Sequence, residues 1–335
     1  MSRPLISVII TSIRTEYLED ALRSVLNQTF DSSEYEVIVV KDHPFEFEQG
    51  SNLTVISHEG KTSLGSKIHD GLQVSKGDII AFLEDDDMFM PDKLKVVAEE
   101  FGKHDISYFH NSVEFVNEKK EIMAARDRQT SQPTSDIFLP EEQKSIRRIG
   151  KLEEMDLIFN NSSVSMARKS IEPFIPLLRD VTYGLDGIMA VLGINGHGGI
   201  YMSARKLTKY RIHSSSTHLQ LPYQEYAAIK RRHSTDVVKG AMIIAPGLKD
   251  NAAIKLNHER LSYYRLMSNV YRTGKSLGPG TLLSDSLTMA TAKAHRREKL
   301  TMVMRSIAST LRHDYMSRRD YAKEMEVMKR RLEDA

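Results

Sequence analysis

An α/β fold, a mostly parallel sheet covered by helices on both faces, is what this 335-residue sequence predicts. Three observations lead there. Apolar, β-branched runs recur through roughly the first 100 residues, stretches with helical spacing separate them, and four consecutive acids, Glu84-Asp85-Asp86-Asp87, close the fourth run. Four strands and three helices succeed one another there, a pattern that means a mostly parallel sheet. Open sheets of this kind place ligands outside the carboxyl ends of their strands, so the acids stand at a binding rim.

Leu5 to Ile10 is apolar and β-branched, a strand buried by composition. Glu16 to Gln28 reads as a helix, with Leu18, Leu22, Val25 and Leu26 at helical spacing. Tyr35 to Val40 is the second strand, ending at Lys41-Asp42, and Leu53 to Ser57 is the third. Leu64 to Val74 is helical, with Leu64, Ile68 and Leu72 on one stripe. Asp78 to Leu83 is the strand before the acids, and Asp92 to Phe101 is the next helix. After Ile106 the rhythm changes. Ile106 to Val116 and Glu121 to Ala125 read as a β-hairpin around Asn117-Glu118-Lys119-Lys120, and Arg126 to Gln143 as a polar, mobile loop. Ser163 to Ala167 is a strand, Leu185 to Leu192 a short helix and Tyr201 to Ile212 a last strand. Gly193 to Gly199 is a glycine-rich turn without the strand-then-helix setting of a dinucleotide motif. From about Tyr223 the chain is helical.

Composition narrows the class. Hydrophobic residues make up 40% and charged residues 27%, ordinary for a globular protein. A net charge of +2 gives no electrostatic case for binding nucleic acid, and the absence of cysteine excludes disulfides, thiolate metal sites and a thiol nucleophile. Met1-Ser2-Arg3-Pro4 leads straight into a strand, without a signal peptide's apolar core, so a cytoplasmic protein is expected. No run reaches the roughly 18 apolar residues of a membrane span, which leaves peripheral attachment open.

Packed carboxylates repel one another unless a cation or open solvent relieves them. A hard cation such as Mg²⁺ takes oxygen ligands and holds substrate phosphates with only one or two protein carboxylates. The acidic run therefore points to a metal that grips a phosphorylated substrate.

With these features in order, the chain resembles the inverting nucleotide-sugar glycosyltransferases of family 2, which have the GT-A fold. Ser7-Val8-Ile9-Ile10, Glu16 to Leu22 and Ser24 to Phe30 are similar to that family's opening strand and helix. Tyr35 to Asp42 resembles its second strand and nucleotide-binding Asp. Gly71 to Asp78 resembles the helix leading into the acid-bearing strand. Phe82 to Leu94 is similar to its Asp-x-Asp segment, and Tyr210-Arg211-Ile212-His213 to a Tyr-Arg-x-His element near the end of its catalytic domain. The likeness covers about residues 5 to 216 and implies a GT-A catalytic domain over 1–218, followed by a helical region over 219–335. Departures cluster around the nucleotide pocket: Glu84 replaces the first Asp, His43-Pro44-Phe45 follows the second strand, Thr11-Ser12-Ile13-Arg14 follows the first, and Ser66-Lys67-Ile68-His69 precedes Gly71.

The resemblance implies transfer of a sugar from a nucleotide-diphosphate donor, of the UDP-sugar type, to a hydroxyl of a glycan or lipid-linked acceptor, as in polysaccharide biosynthesis. Mn²⁺ or Mg²⁺ neutralises the leaving diphosphate as a Lewis acid. Asp86 and His213 are the implied metal ligands. Asp85 falls by the ribose, Asp42 takes the base or ribose, Lys67 faces a phosphate, and Thr11, Ser12 and Arg14 line the nucleotide pocket. Asp186, in Tyr183-Gly184-Leu185-Asp186, matches the family's catalytic base, with Leu185 where an acid usually precedes it. Such a base must reach the acceptor hydroxyl opposite the leaving group. Asn160 and Asn161 are candidates for touching the acceptor.

Two alternatives stand beside this reading. A sugar-1-phosphate nucleotidyltransferase would need a glycine-rich basic loop after the first strand, and Thr11 to Thr15 holds no glycine. A non-catalytic binding or scaffold protein would explain the departures, but Asp42, Asp86, Asp186 and His213 are all retained. In the tail, Leu300, Val303, Met304, Ile307, Leu311 and Tyr315 form an apolar stripe amid Lys293, Arg296, Arg297, Lys299, Arg305, Arg312, Arg318 and Arg319. A basic amphipathic helix suits an anionic membrane surface, here the inner face, or a homodimer contact.

Overall fold

The computed structural model describes residues 4–46, 52–124, 131–213, 221–272, 275–311 and 315–333. Its strands are β1 (Ile6–Ser12), β2 (Tyr35–Lys41), β3 (Leu53–Ser57), β4 (Ile79–Glu84), β5 (Met88–Phe89), β6 (Ile106–Val116), β7 (Ile137–Leu139), β8 (Val164–Ala167) and β9 (Gly199–Arg211). Helices in the first part are α1 (Leu18–Leu26), α2 (Leu64–Val74), α3 (Lys93–Lys103), α4 (Ile146–Glu153), α5 (Arg168–Ile171), α6 (Ile175–Leu178) and α7 (Leu185–Asn195). The tail holds α8 (Tyr223–Ile244), α9 (Asn251–Val270), α10 (Pro279–Thr291), α11 (Arg296–Leu311) and α12 (Tyr315–Glu333).

The strands form one mixed sheet in the order β3-β2-β1-β4-β8-β6-β9-β5, with β7 also paired to β9. The first four are parallel, as the alternation predicts. β8 is antiparallel to both β4 and β6, which joins the parallel half to the β6–β9 pair. Register places Thr11 opposite Val40 on one side and Glu84 on the other. The segments starting at Ser12, Asp42 and Asp85 therefore leave the sheet side by side.

Both faces are buried, and period-two alternation sorts the continuous apolar runs between them. Val8, Ile10, Val37 and Val39 pack with Leu18, Leu22 and Val25 of α1 and Leu94 and Val97 of α3. Ile9, Ile38 and Val40 face the opposite way, toward Ile68 and Leu72 of α2. The same second cluster takes in Ile188 and Leu192 of α7, then Ile244, Leu248, Ala252 and Leu256 of the tail. The start of the helical region thus shares the core of the sheet, while Tyr226, Leu266, Val270, Met289 and Met302 build a separate cluster further out. α7 lies close on β6 because Gly193 has no Cβ; one would stand 2.4 Å from the Tyr108 ring.

Several expectations change. Over its described residues, Glu121 to Ala124, the expected hairpin strand does not form: an isolated bridge links Val116 and Ile122. Ile122 is 60% exposed, so that segment has no apolar face to bury, and Asn117 Oδ1 instead accepts from the backbone N–H of Lys119 and Glu121. The polar loop gains structure at its end, where β7 adds to β9 and Asp136 accepts from Tyr201, Ser203 and the Ala204 N–H. The tail stripe is divided between α11 and α12. Val303 is buried, whereas Met304 is 67% and Leu311 84% exposed. Ala125, residues 126–130 of the polar loop, residues 214–218 and residues 312–314 of the stripe lie outside the described residues. Among those described, no helix is long and apolar enough to cross a membrane.

Candidate active site

The acidic turn after β4 divides its labour. Asp85 is buried and anchors the loop after β1. Its Oδ2 accepts from Ile13 N at 2.7 Å, Arg14 N at 2.9 Å and Ser12 Oγ at 3.0 Å, while Oδ1 lies 3.2 Å from Arg14 Nε. Asp87 is also buried; its two oxygens accept from Arg211 N and Asn160 Nδ2, each at 3.0 Å. Asp86 points outward between them. Its Oδ2 lies 3.0 Å from both Arg14 Nη1 and His213 Nε2. Burial pushes the Asp86 carboxyl up, but the His213 hydrogen bond and the Arg14 charge outweigh it and hold the group below its ordinary value.

Buried Arg211 supports this turn from behind. Its Nε donates to the Asp86 carbonyl at 2.9 Å, its Nη2 pairs with Asp20 at 2.8 Å, and the guanidinium stacks over Tyr17. Two residues on, His213 packs its ring 5.1 Å from Tyr17. Its Nε2 is also 2.9 Å from Arg14 Nη1. One ring nitrogen serves one role at a time: protonated it donates to Asp86, bare it accepts from Arg14.

Asp42 and Lys67 form a buried pair at 2.6 Å, and Asp42 also accepts from Thr62 N at 2.9 Å. Burial raises the Asp42 carboxyl, and these bonds more than reverse that shift. Lys67 therefore points at Asp42. Ser12 Oγ lies 2.7 Å from His43 Nε2, which ties the segment after β2 to the β1 loop. Thr11 is buried in the last turns of β1. The sequence-predicted residues Thr11, Ser12, Arg14, Asp42, Lys67, Asp85 and Asp86 thus collect at adjoining strand ends, and His213 arrives from just beyond β9.

Asp186 sits in the first turn of α7, entered through Gly184 at φ +74°, where helix geometry favours a negative charge. Its Oδ1 accepts from Gly187 N at 2.7 Å. Burial raises its pKa and Arg260 of α9 lowers it. Arg260 donates to the Gly184 carbonyl at 3.1 Å, and a Cβ at Gly187 would meet its guanidinium at 2.2 Å. Sequence reading had no signal for Arg260, which comes from the helical tail. Asn160 and Asn161 lie on a tight turn with Asn160 at φ +60°, and Asn161 Nδ2 reaches Glu84 Oε1 at 3.3 Å. Below them, wholly buried Lys93 donates to the Ser162 carbonyl and, at 3.0 Å, to Thr208. Burial drives its pKa well down.

Glu84, first of the four acids and the departure from the family's Asp, lies among them here. It faces both groups of acids: burial first, then the charges of Asp86, Asp87 and Asp186, push it well above its ordinary range. Burial and Asp86 raise Asp87 to about 7. Oxygens of Glu84, Asp86 and Asp87 come within 4.8 Å of one another. Such a strained cluster of hard oxygens, with an imidazole nitrogen beside it, is chemically suited to Mg²⁺ or Mn²⁺.

Strand order, mixed direction and an acidic turn at the strand ends define a GT-A-type α/β fold. Residues 7–171 match the family model described as Glycosyl transferase family 2, and over that segment the chain belongs to this family. It is 30% identical over 101 residues to the putative glycosyltransferase EpsH of Bacillus subtilis, an alignment covering 28% of this chain and 29% of the relative. It is 34% identical over 123 residues to an uncharacterized glycosyltransferase of Haemophilus influenzae, covering 34% of this chain and 41% of that one. The chain thus spans less than half the length of these curated relatives. In structure it is similar to S. aureus TarS 1–349 in complex with UDP-GlcNAc, with a TM-score of 0.53, 14% identity and 92% of each chain covered. The TarS 1–349 complex with UDP gives a TM-score of 0.50 at 14% identity, over 91% of this chain and 90% of that one. At that identity the likeness shows the fold, and it extends through the tail helices.

Proposed function

We propose that this protein is a metal-dependent inverting glycosyltransferase that moves a hexose-type sugar from a UDP-sugar to a hydroxyl of a glycan or lipid-linked acceptor. The observation that carries this reading is the convergence of Asp86, His213 and Arg14 at one rim of a family 2 fold. UDP and UDP-GlcNAc in the TarS structures support the donor class.

In this mechanism Asp42 and the loop after β1 bind the nucleoside, with Asp85 fixing that loop. Asp86 and His213, with Glu84 or Asp87, would hold Mn²⁺ or Mg²⁺, which when bound supplies charge neutralisation to the diphosphate. Arg14 adds a guanidinium suited to phosphate oxygens. Asp186 takes the proton of the acceptor hydroxyl as its oxygen attacks the anomeric carbon. The carbon–oxygen bond to the diphosphate breaks, nucleoside diphosphate leaves, and the configuration inverts. The exposed apolar residues of α11 among basic ones support peripheral attachment to the inner membrane face, or self-association through the tail.

The test is sugar transfer and donor hydrolysis across uridine, guanosine, thymidine and cytidine donors with Mn²⁺ and Mg²⁺, with membrane extract as acceptor. Turnover of one donor class that disappears with chelator and in Asp86→Ala is expected. Release of pyrophosphate from a nucleoside triphosphate would instead favour a nucleotidyltransferase. Tight donor binding without turnover, with or without acceptor, would leave a binding protein.

A further inference from the structure

The Arg14 guanidinium sits among the atoms a divalent ion would use. Nη1 lies 3.0 Å from Asp86 Oδ2 and 2.9 Å from His213 Nε2, and those two atoms lie 3.0 Å from each other. That last separation equals the edge of an octahedron whose arms are about 2.1 Å, the geometry Mg²⁺ demands. One cationic nitrogen therefore lies within hydrogen-bond reach of both side chains that the family resemblance implies as metal ligands. Arg14 is held there by its backbone as well, since Asp85 accepts from both its N–H and its Nε. Yet its side chain is 24% exposed, so the guanidinium has an open side toward which it can turn.

Two cations cannot share these atoms. A metal ligand must offer a lone pair, and Asp86 Oδ2 already meets Arg14, while a bare His213 Nε2, the form that binds metal, is also the form that accepts from Arg14. Proximity of the guanidinium charge opposes a divalent ion further.

We propose that Arg14 is a built-in competitor for the divalent ion. In the nucleotide-free protein it holds the Asp86–His213 pair, and metal gains that pair only when Arg14 turns away. Apparent metal affinity is then reduced by the fraction of molecules in which Arg14 has withdrawn. A diphosphate offers the guanidinium a bidentate partner of its own, so nucleotide and metal reinforce each other's binding. The diphosphate half of this proposal rests on the transferase reading; the competition itself belongs to the free protein.

The experiment is a Mn²⁺ titration of the full chain, following free Mn²⁺ by electron paramagnetic resonance, first without nucleotide and then with UDP. Arg14→Met keeps an unbranched stem, shorter than that of arginine, and removes its charge. It should bind Mn²⁺ about tenfold or more tightly than wild type without nucleotide, and UDP should tighten Mn²⁺ binding much more in wild type than in the variant. Adding Asp86→Ala to Arg14→Met should abolish the gain. Equal or weaker Mn²⁺ binding by a folded Arg14→Met protein would overturn the proposal, as would tight binding that survives in the double variant. If Arg14→Met fails to fold, Arg14→Lys, with a charge of shorter reach, should fall on the tighter side of wild type, and an unchanged affinity there would count against competition. No sugar is transferred in this assay. An inactive protein can still show the competition, and an active one with unchanged Mn²⁺ affinity loses only this inference.

Discussion

The two sides of the rim are built in different ways. On the side of β1 to β4, contacts are short in sequence or run between adjacent parallel strands: Asp42 meets Lys67 across 25 residues, and Asp85 meets Ser12 across 73. The opposite side is gathered from afar. Arg211 reaches Asp20 across 191 residues, His213 reaches Arg14 across 199, and Arg260 supports Gly184 across 76 from within the helical tail. The β1–β4 side is a property of a folding unit, whereas the opposite side is a property of the whole chain.

The largest effect that would test this contrast is truncation. A chain ending at residue 218 loses Ile244, Leu248, Ala252, Ala253 and Leu256 from the core it shares with α7. Each large aliphatic removed costs about 1.5–3 kcal/mol, against a total stability of about 5–15 kcal/mol. Loss of a cooperative urea transition is expected; a sharp transition with donor binding retained would show that the two sides are separable. Next comes Asp186→Asn. It should lower the transfer rate by about 10²–10⁴ while donor affinity, by calorimetry, stays at the wild-type level. A parallel fall in donor affinity would place Asp186 on the donor side.

A smaller effect concerns Asp42. Asp42→Asn leaves Lys67 buried beside a neutral partner, which should cost about 3–5 kcal/mol in a denaturant titration. If stability holds and only nucleotide binding falls, the carboxylate serves the ligand alone. Because its folded pKa is lowered, its contribution is present above the unfolded value and fades as pH drops through the folded one, below the ordinary carboxylate range. Glu84 and Asp87 have the opposite sign. Their folded pKa values are raised, Asp87 to about 7, so their contribution is full below the unfolded value and is lost as pH climbs through the folded one. In metal-free protein, Tm should rise by about 2–4 °C for each kcal/mol recovered as pH falls from about 7.5 to about 5. Saturating Mg²⁺ should flatten that slope, and an equal slope with and without Mg²⁺ would argue against a metal on these acids.

The same contrast governs what was legible in the sequence. Buried parallel strands advertise themselves as apolar runs, so β2 and β3 and the helix α2 fall within a residue of their expected limits. That Asp42, Asp85 and Asp86 stand at the rim follows from position, since the end of each run marks it. What stayed hidden depends on side chains meeting across the fold. Nothing local distinguishes Lys67 facing a phosphate from Lys67 paired with Asp42, and nothing marks Arg260 as a neighbour of Asp186. His43 carried a signal, as the residue in an altered turn, but its partner Ser12 could not be named. The expected hairpin strand after Asn117 failed because alternation without a buried face does not hold a strand, and β7 escaped notice because three residues are too few to show a period.

Arg211 has a consequence for how the protein is made. The acidic turn is complete when about a quarter of the chain has been synthesised, yet the backbone N–H that steadies Asp87 and the guanidinium that joins Asp86 to Asp20 come with β9. A ribosome adding about 5–20 residues per second leaves those acids without these partners for several seconds or more. The final strand also supplies the pairing partner of β5, β6 and β7, so a chain that stalls before it lacks part of its sheet as well as the closed rim.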